Sequence, residues 1–248
     1  MGSLKIVDAH ICIQGEGKYV GVPHILIRMS GCPMRCSFGG ALCDSPFTSW
    51  KPEKGSFTED QIYDLYASNI QINHTLITGG EPFFNEPLLN LLISISKKFN
   101  HFVTVETAGI LFLKTKADFI SISPKLRSSI PSVGDYLINN EKVSITSSSV
   151  FRHTRLLSDL SHIKQFIKHS KDYQIKPVIS NINTDIPEVI SLLRIVGAEK
   201  NKVYLMPAGA TNEELNKIRI PLIEYCQNEG WNYTDRLHIV AYENKRGV

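Results

Sequence analysis

Apolar residues in this chain gather in short runs that end in polar clusters, and between them lie stretches with helical spacing. Positions 4–13 alternate loosely enough to predict a strand, and 24–29 is a compact apolar run that predicts a second. At 57–68 the period becomes that of a helix: Thr58 can cap it, Glu59 and Asp60 suit its positive end, and Ile62, Leu65 and Tyr66 fall at helical spacing. Further strands are predicted at 74–77, 102–105, 117–122, 175–179 and 203–206, and helices at 87–99, 184–196 and 211–228. Pro187 is expected in the first turn of its helix, where a missing N–H is tolerated, and Thr211 with Glu214 reads as a capping box. The alternation Ile163, Gln165, Ile167 favours a strand and leaves a short helix open, and a last strand is expected at 236–242. From 127 to 159 there is a serine run at 147–149 and no firm period, so this stretch reads as a peripheral insertion or a mobile segment.

Strands that alternate with helices or loops about six times predict an α/β fold whose parallel strands close into part of a TIM-like barrel, a partial (β/α)6 arrangement. A length of 248 residues, with 42% hydrophobic and 21% charged, suits a single domain over 1–248 with a substantial core. A net charge of +3 without a dense Lys/Arg run gives no argument for nucleic acid. No apolar run approaches the roughly eighteen residues of a membrane span, so no membrane partner and a cytoplasmic location are expected.

The chemistry concentrates at 28–46, RMSGCPMRCSFGGALCDSP, where Cys32, Cys36 and Cys43 share one loop. Reduced cytosolic thiols disfavour a disulfide, and a structural zinc lacks a second ligand pair nearby. A cubane iron–sulfur cluster held by three thiolates would leave one iron open for a small molecule. Cys12 and Cys226 read as small core hydrophobes. Arg28 is unusual late in an apolar strand, because a buried guanidinium must be paired; it faces either solvent or an anionic ligand. Gln14-Gly15-Glu16-Gly17, Gly79-Gly80-Glu81-Pro82, Glu106-Thr107 and Ser123-Pro124-Lys125 all follow strands, where α/β sheets place ligands, although each could also be a plain turn or cap. His238 could equally be an ordinary packed histidine.

The cysteine loop resembles that of the radical S-adenosylmethionine (SAM) enzymes. Their pattern is Cys, three residues, Cys, two residues, Cys; here the first gap matches and the second is six residues, SFGGAL, in which Gly39 and Gly40 give the backbone freedom to bulge so that the sulfurs converge. The resemblance implies the partial barrel of that family, with a 4Fe-4S cluster on Cys32, Cys36 and Cys43. It implies SAM contacts at Gly79, Gly80, Glu81, Thr107, Ser123 and Lys125, with Glu81 meeting the methionyl amino group. QGEG, Arg28 and CDSPF narrow the resemblance to a branch that contracts the ring of 6-carboxy-5,6,7,8-tetrahydropterin with loss of ammonia, in queuosine-type deazapurine biosynthesis. In that branch Gln14, Glu16, Arg28 and His238, the last within a C-terminal segment near 236–248, would meet the pterin. Ser45 stands where the branch usually has Thr and would offer its hydroxyl to magnesium. The same resemblance implies a reductant such as flavodoxin or ferredoxin and allows a homodimer. The alternatives are an activase of a glycyl-radical enzyme, acting on a protein, and a non-catalytic zinc-binding module.

Overall fold

The structure is a computed structural model that describes residues 2–38, 41–138, 140–243 and 245–247. The chain opens with β1 (Ile6–Ile13), which turns back into β2 (Pro23–Met29), and the cysteine loop carries the short strands β3 (Ser37–Phe38) and β4 (Ala41–Leu42). Then come α1 (Glu59–Ala67), β5 (His74–Gly79), α2 (Glu86–Lys98), β6 (Phe102–Thr107) and β7 (Phe119–Ile122). A hairpin of β8 (Gly134–Ile138) and β9 (Glu141–Ile145) leads to α3 (Ser147–Ser158) and α4 (Ser161–His169). The last third holds β10 (Tyr173–Ile175), β11 (Val178–Ile179), α5 (Ile182–Val196), β12 (Tyr204–Pro207), α6 (Asn212–Glu229), β13 (Asn232–Tyr233) and α7 (Leu237–Tyr242).

Among the described residues the main sheet runs β1-β2-β5-β6-β7-β10, with β1 antiparallel to β2 and every other neighbour parallel. A single parallel bridge, Ile175 to Val203, links it to a second parallel sheet, β11-β12-β13. The α/β expectation therefore holds. Successive residues of a strand point to opposite faces, and here the two faces divide the labour. Ile25, Ile27 and Met29 of β2, Ile77 of β5, Val103 and Val105 of β6 and Ile120 and Ile122 of β7 join the core with Leu88, Leu89, Leu92 and Ile95 of α2. The intervening residues, among them His24, Leu26, Arg28, Thr78 and Glu106, line a cavity. Arg28 is thus no anomaly: it lies on the cavity face of a strand whose other face is core. Cys12, expected in the core, lies on that cavity face too, with its Sγ 3.5 Å from His24 Nε2, whereas Cys226 is buried in α6 as expected.

Several local expectations are corrected. The stretch 161–169 is helix α4, whose buried Ile163 and Phe166 are three apart, so the apparent alternation was part of a helical period. The strand expected at 175–179 is two strands, because Pro177 has no N–H to continue a ladder. The segment expected as a strand at 236–242 is helix α7, whose first turn is closed by the amides of Ile239 and Val240 on the Arg236 carbonyl. The stretch 127–159 contains the β8–β9 hairpin and helix α3, where the sequence showed no firm period. Pro187 lies in the second turn of α5, which starts earlier, at Ile182, behind an Asn181 cap. On α6 the Thr211 side chain caps Glu214 N, but the Glu214 carboxylate accepts from Ala210 N, so the box is only half as read. Thr58 and Gln61 do form a full capping box on α1. No helix among the described residues is long and apolar enough to cross a membrane.

Candidate active site

The cavity on the polar face of the sheet has a volume of about 710 Å³. Of the residues singled out in the sequence, Gln14, Glu16, Arg28, Cys32, Cys36, Cys43, Ser45, Gly79, Gly80, Thr107, Ser123, Lys125 and His238 all line it; Glu81 does not. Residues separated by more than two hundred positions in the chain thus share one enclosure.

The cysteine loop leaves β2 and is tied down by Gly31 N donating to Thr48 O (2.9 Å) and Glu81 N donating to Gly31 O (2.9 Å). The described residues of the six-residue gap pair as an antiparallel ribbon in which Ser37 faces Leu42 and Phe38 faces Ala41. Gly39 and Gly40, expected to permit the bulge, lie outside the described residues. At the base of the ribbon Cys43 N donates to Cys36 O at 3.0 Å, so a gap longer than usual still returns the third cysteine beside the second. Burial pushes the Cys32 thiol up to about 12 and raises Cys36 and Cys43, with the Lys125 ammonium opposing the shift at all three. Three thiols facing a cavity beside the Lys125 ammonium, one buried and two half-buried, are a donor set that suits a metal cluster, since a coordinated thiol is deprotonated by the metal's charge. Among the described residues no three His, Cys, Asp or Glu side chains converge on a point for a single ion. A cubane places each thiolate on a different iron and requires no such point.

Gly79 ends β5 at φ 133°, where a Cβ would lie 2.1 Å from Met29 O; only glycine fits there. Glu81, expected to meet an ammonium group, is 2% exposed and its carboxylate already accepts from Thr107 Oγ1 (2.8 Å), Ala108 N (2.9 Å) and Phe83 N (3.3 Å). It joins the ends of β5 and β6 and fixes Thr107. Burial raises its carboxyl above the ordinary value, and these donors offset only part of that rise. Lys125 Nζ donates to Ser123 Oγ at 3.0 Å on the same wall.

At the other end of the cavity Glu16 is the hub of a buried charge network. Lys176 Nζ donates to Glu16 Oε2 and also to Glu106 Oε1 (2.8 Å), and Thr78 Oγ1 donates to Glu106 Oε2 (2.9 Å). Arg236 Nε donates to Glu16 Oε1 (3.0 Å), and its terminal nitrogens donate to Gly209 O and to Asp44 Oδ2. Burial alone would raise the Glu16 carboxyl, but Lys176 and Arg236 outweigh it and hold the group well below the usual range. Asp44, likewise penalised by burial, is held at about 2 chiefly by Arg236. His238 Nε2 lies 3.8 Å from Glu16 Oε1, and the ring packs so closely on Gly15 that a Cβ there would be 2.2 Å from Nδ1. Leu237 N donates to Gly15 O and Gly17 N to Thr234 Oγ1 (2.7 Å), which ties the C-terminal segment to the QGEG turn. Gln14 Oε1 accepts from Glu16 N at 3.2 Å inside that turn. Arg28 pairs with Asp8 across the β1–β2 ladder (3.3 Å) and donates to Ser45 Oγ (3.2 Å), which in turn donates to Asp44 Oδ1 (3.1 Å).

Sequence reasoning left Lys176 out of the site altogether, and it named Glu106, Asp44 and Arg236 only as members of the Glu106-Thr107 pair, the CDSPF run and the segment near 236–248. Lys176 had a signal, a lysine inside the apolar run QIKPVI, of the kind that drew attention to Arg28.

No family model matches the chain. It is 33% identical over 246 residues to a 7-carboxy-7-deazaguanine synthase of Rhodopirellula baltica, covering 99% of this chain and 89% of that protein. It is 32% identical over 249 residues to the protein of that name in Halobacterium salinarum, covering 98% and 91%. In fold it is similar to the crystal structure of QueE from Escherichia coli, with a TM-score of 0.60 over 95% of each chain and 19% identity.

Proposed function

This chain belongs to the 7-carboxy-7-deazaguanine synthase family, and we propose that it contracts the ring of 6-carboxy-5,6,7,8-tetrahydropterin to 7-carboxy-7-deazaguanine with loss of ammonia, as a radical SAM carbon–nitrogen lyase of queuosine-type biosynthesis. The observation that carries the proposal is the pairing, in one cavity, of a three-thiol loop with an ionised, doubly paired carboxylate. The parallel sheet that continues through the Ile175–Val203 bridge supports the partial (β/α)6 barrel of the radical SAM type.

Cys32, Cys36 and Cys43 would hold a 4Fe-4S cluster and leave its fourth iron to SAM. When bound, that pair supplies the one-electron reductive cleavage that starts the chemistry. The chain's own residues bind and orient. Glu16, kept ionised by Lys176 and Arg236, is an acceptor for the N–H edge of the pterin, and charge-assisted hydrogen bonds of this kind are the strong ones. Gln14 offers an amide beside it, His238 packs against the same turn, and Arg28 offers a cation to the substrate carboxylate. On the SAM side Gly79 and Gly80 expose backbone, Ser123 and Lys125 offer a hydroxyl and an ammonium, and Glu81 acts through Thr107, which it holds. Ser45 would contribute one hydroxyl to a magnesium ion, which prefers hard oxygen ligands. A reductant such as flavodoxin or ferredoxin, a cytoplasmic setting and a homodimer complete the reading. A substrate-sized interior lined with paired charges favours a small molecule over the protein substrate of a glycyl-radical activase.

Anaerobic reconstitution followed by metal and sulfide analysis tests the cofactor part. About four irons and four sulfides per chain are expected; zinc bound in their place, with no sulfide, would speak for the interaction module instead.

A further inference from the structure

The hairpin β8–β9 and helix α3 pack directly on the cysteine loop and grip its backbone on both sides of one ligand. On one side Arg35 N donates to His153 Nδ1 at 3.3 Å. A backbone amide can only donate, so Nδ1 is the acceptor and the neutral ring carries its proton on Nε2. That nitrogen lies 3.2 Å from Ser129 Oγ, whose own proton goes to Leu126 O at 2.7 Å. The direction of donation is therefore fixed along the whole chain, from Arg35 N through His153 and Ser129 to the Leu126 carbonyl, which accepts. His153 and Ser129 are both fully buried. On the other side the Cys36 carbonyl accepts from Trp50 Nε1 at 3.1 Å. Trp50 is seated on the hairpin, against Ile138 and Ile145, with its ring 4.8 Å from that of Tyr136. The Arg35–Cys36 segment is thus held at its leading N–H and its trailing C=O by side chains that lie outside the loop.

We propose that this hairpin and helix form a clamp, with His153 and Trp50 as positioning residues that set the backbone of Cys36 for cluster binding. The clamp holds the backbone on both sides of Cys36 from outside the loop. The inference rests on the cluster reading of the three cysteines. It assigns a role to a stretch in which the sequence showed no period.

The test uses the full chain reconstituted anaerobically, and it reads iron release to a ferrous chelator, the electron paramagnetic resonance spectrum of the reduced cluster and the midpoint potential. His153→Leu keeps an apolar side chain of similar reach and leaves Arg35 N unpartnered. It should retain the parent's far-ultraviolet circular dichroism, release iron roughly 10-fold faster and shift the spectrum, as changes behind metal ligands do. His153→Gln, with one acceptor and one donor, should recover most of the parent's behaviour. Trp50→Phe keeps an aromatic ring against Tyr136, loses the donor to Cys36 O, and should also release iron faster. Parent-like release and spectrum in His153→Leu would overturn the clamp, as would His153→Gln falling as far as His153→Leu. Should His153→Leu fail to fold, a parent-like Trp50→Phe overturns it. A parent chain that takes up no iron contradicts the cluster reading and the clamp with it.

Discussion

Glu16 shows how a carboxylate can be kept ionised for the recognition role proposed for it. It is buried, which favours its neutral form, yet two cations from distant parts of the chain keep it charged. Glu16→Gln should weaken binding of the carboxypterin by about 10-fold or more, the worth of a charge-assisted hydrogen bond, and leave SAM binding close to the parent; anaerobic titration with each ligand separates the two. Equal losses for both ligands would count against the division of roles. Replacing any of Cys32, Cys36 or Cys43 with Ala should abolish cluster-dependent SAM cleavage, whereas Cys12→Ala and Cys226→Ala should not. Full iron content in a Cys43→Ala chain would sink the assignment of the third ligand. The cysteines stood out by their spacing and Arg28 by its place in an apolar run, whereas Glu16 was singled out only by the resemblance of QGEG, which by itself reads as a turn. The Arg236–Asp44 and Lys176–Glu16 pairs were not legible, since Lys176 and Glu16 are 160 positions apart and Arg236 and Asp44 are 192 apart. Among the expected ligands, Ser45 has a hydroxyl that is already engaged, accepting from Arg28 and donating to Asp44. Removal of magnesium should lower turnover only in part, and Ser45→Thr should bind the ion more tightly through its stiffer χ1. No response to magnesium, together with a fully active Ser45→Ala, would remove Ser45 from the site.

Among the elements, the main-sheet strands β1, β2, β5, β6 and β7 were legible, because their two faces have different chemistry. β2 is the clearest case: Ile25, Ile27 and Met29 on one side, His24, Leu26 and Arg28 on the other. The errors fall where few residues carry the signal. Helix α4 has only two fully buried positions and α7 only one, too few to separate a helical period from an alternation. The hairpin and α3 were opaque because their buried residues serve the cysteine loop and not the main core. One of these, His153, has a pH consequence. Burial, with a smaller push from Lys125, takes it from the ordinary 6.5 to about 4, so the fold favours the neutral ring. The unfolded chain binds the proton first as pH falls. The contribution is therefore fully present above 6.5 and is lost between 6.5 and 4, by on the order of 3 kcal/mol. Urea unfolding of the metal-free chain at pH 7 and pH 4 should show this loss in the parent and a correspondingly smaller one in His153→Gln. Equal losses in the two chains would show that His153 is not the group responsible.

At the scale of the whole molecule the fold serves to bring the QGEG turn, the cysteine loop and the C-terminal segment to one side of a sheet whose other side is core. The α/β class could be read from the order of elements, but the enclosure could not, because Leu237 N reaching Gly15 O and Arg236 reaching both Glu16 and Asp44 are contacts of tertiary origin. Arg236 ties Glu16 to the residue next to Cys43. Arg236→Met should therefore weaken carboxypterin binding as Glu16→Gln does, and should also reduce iron retention, which Glu16→Gln should not. The most direct measurement is turnover itself: the reconstituted chain, kept anaerobic, incubated with SAM, dithionite and 6-carboxy-5,6,7,8-tetrahydropterin, with the products read by mass spectrometry. The account predicts 7-carboxy-7-deazaguanine and one ammonia per substrate consumed. SAM cleavage by a fully loaded chain that leaves the pterin unchanged would contradict it.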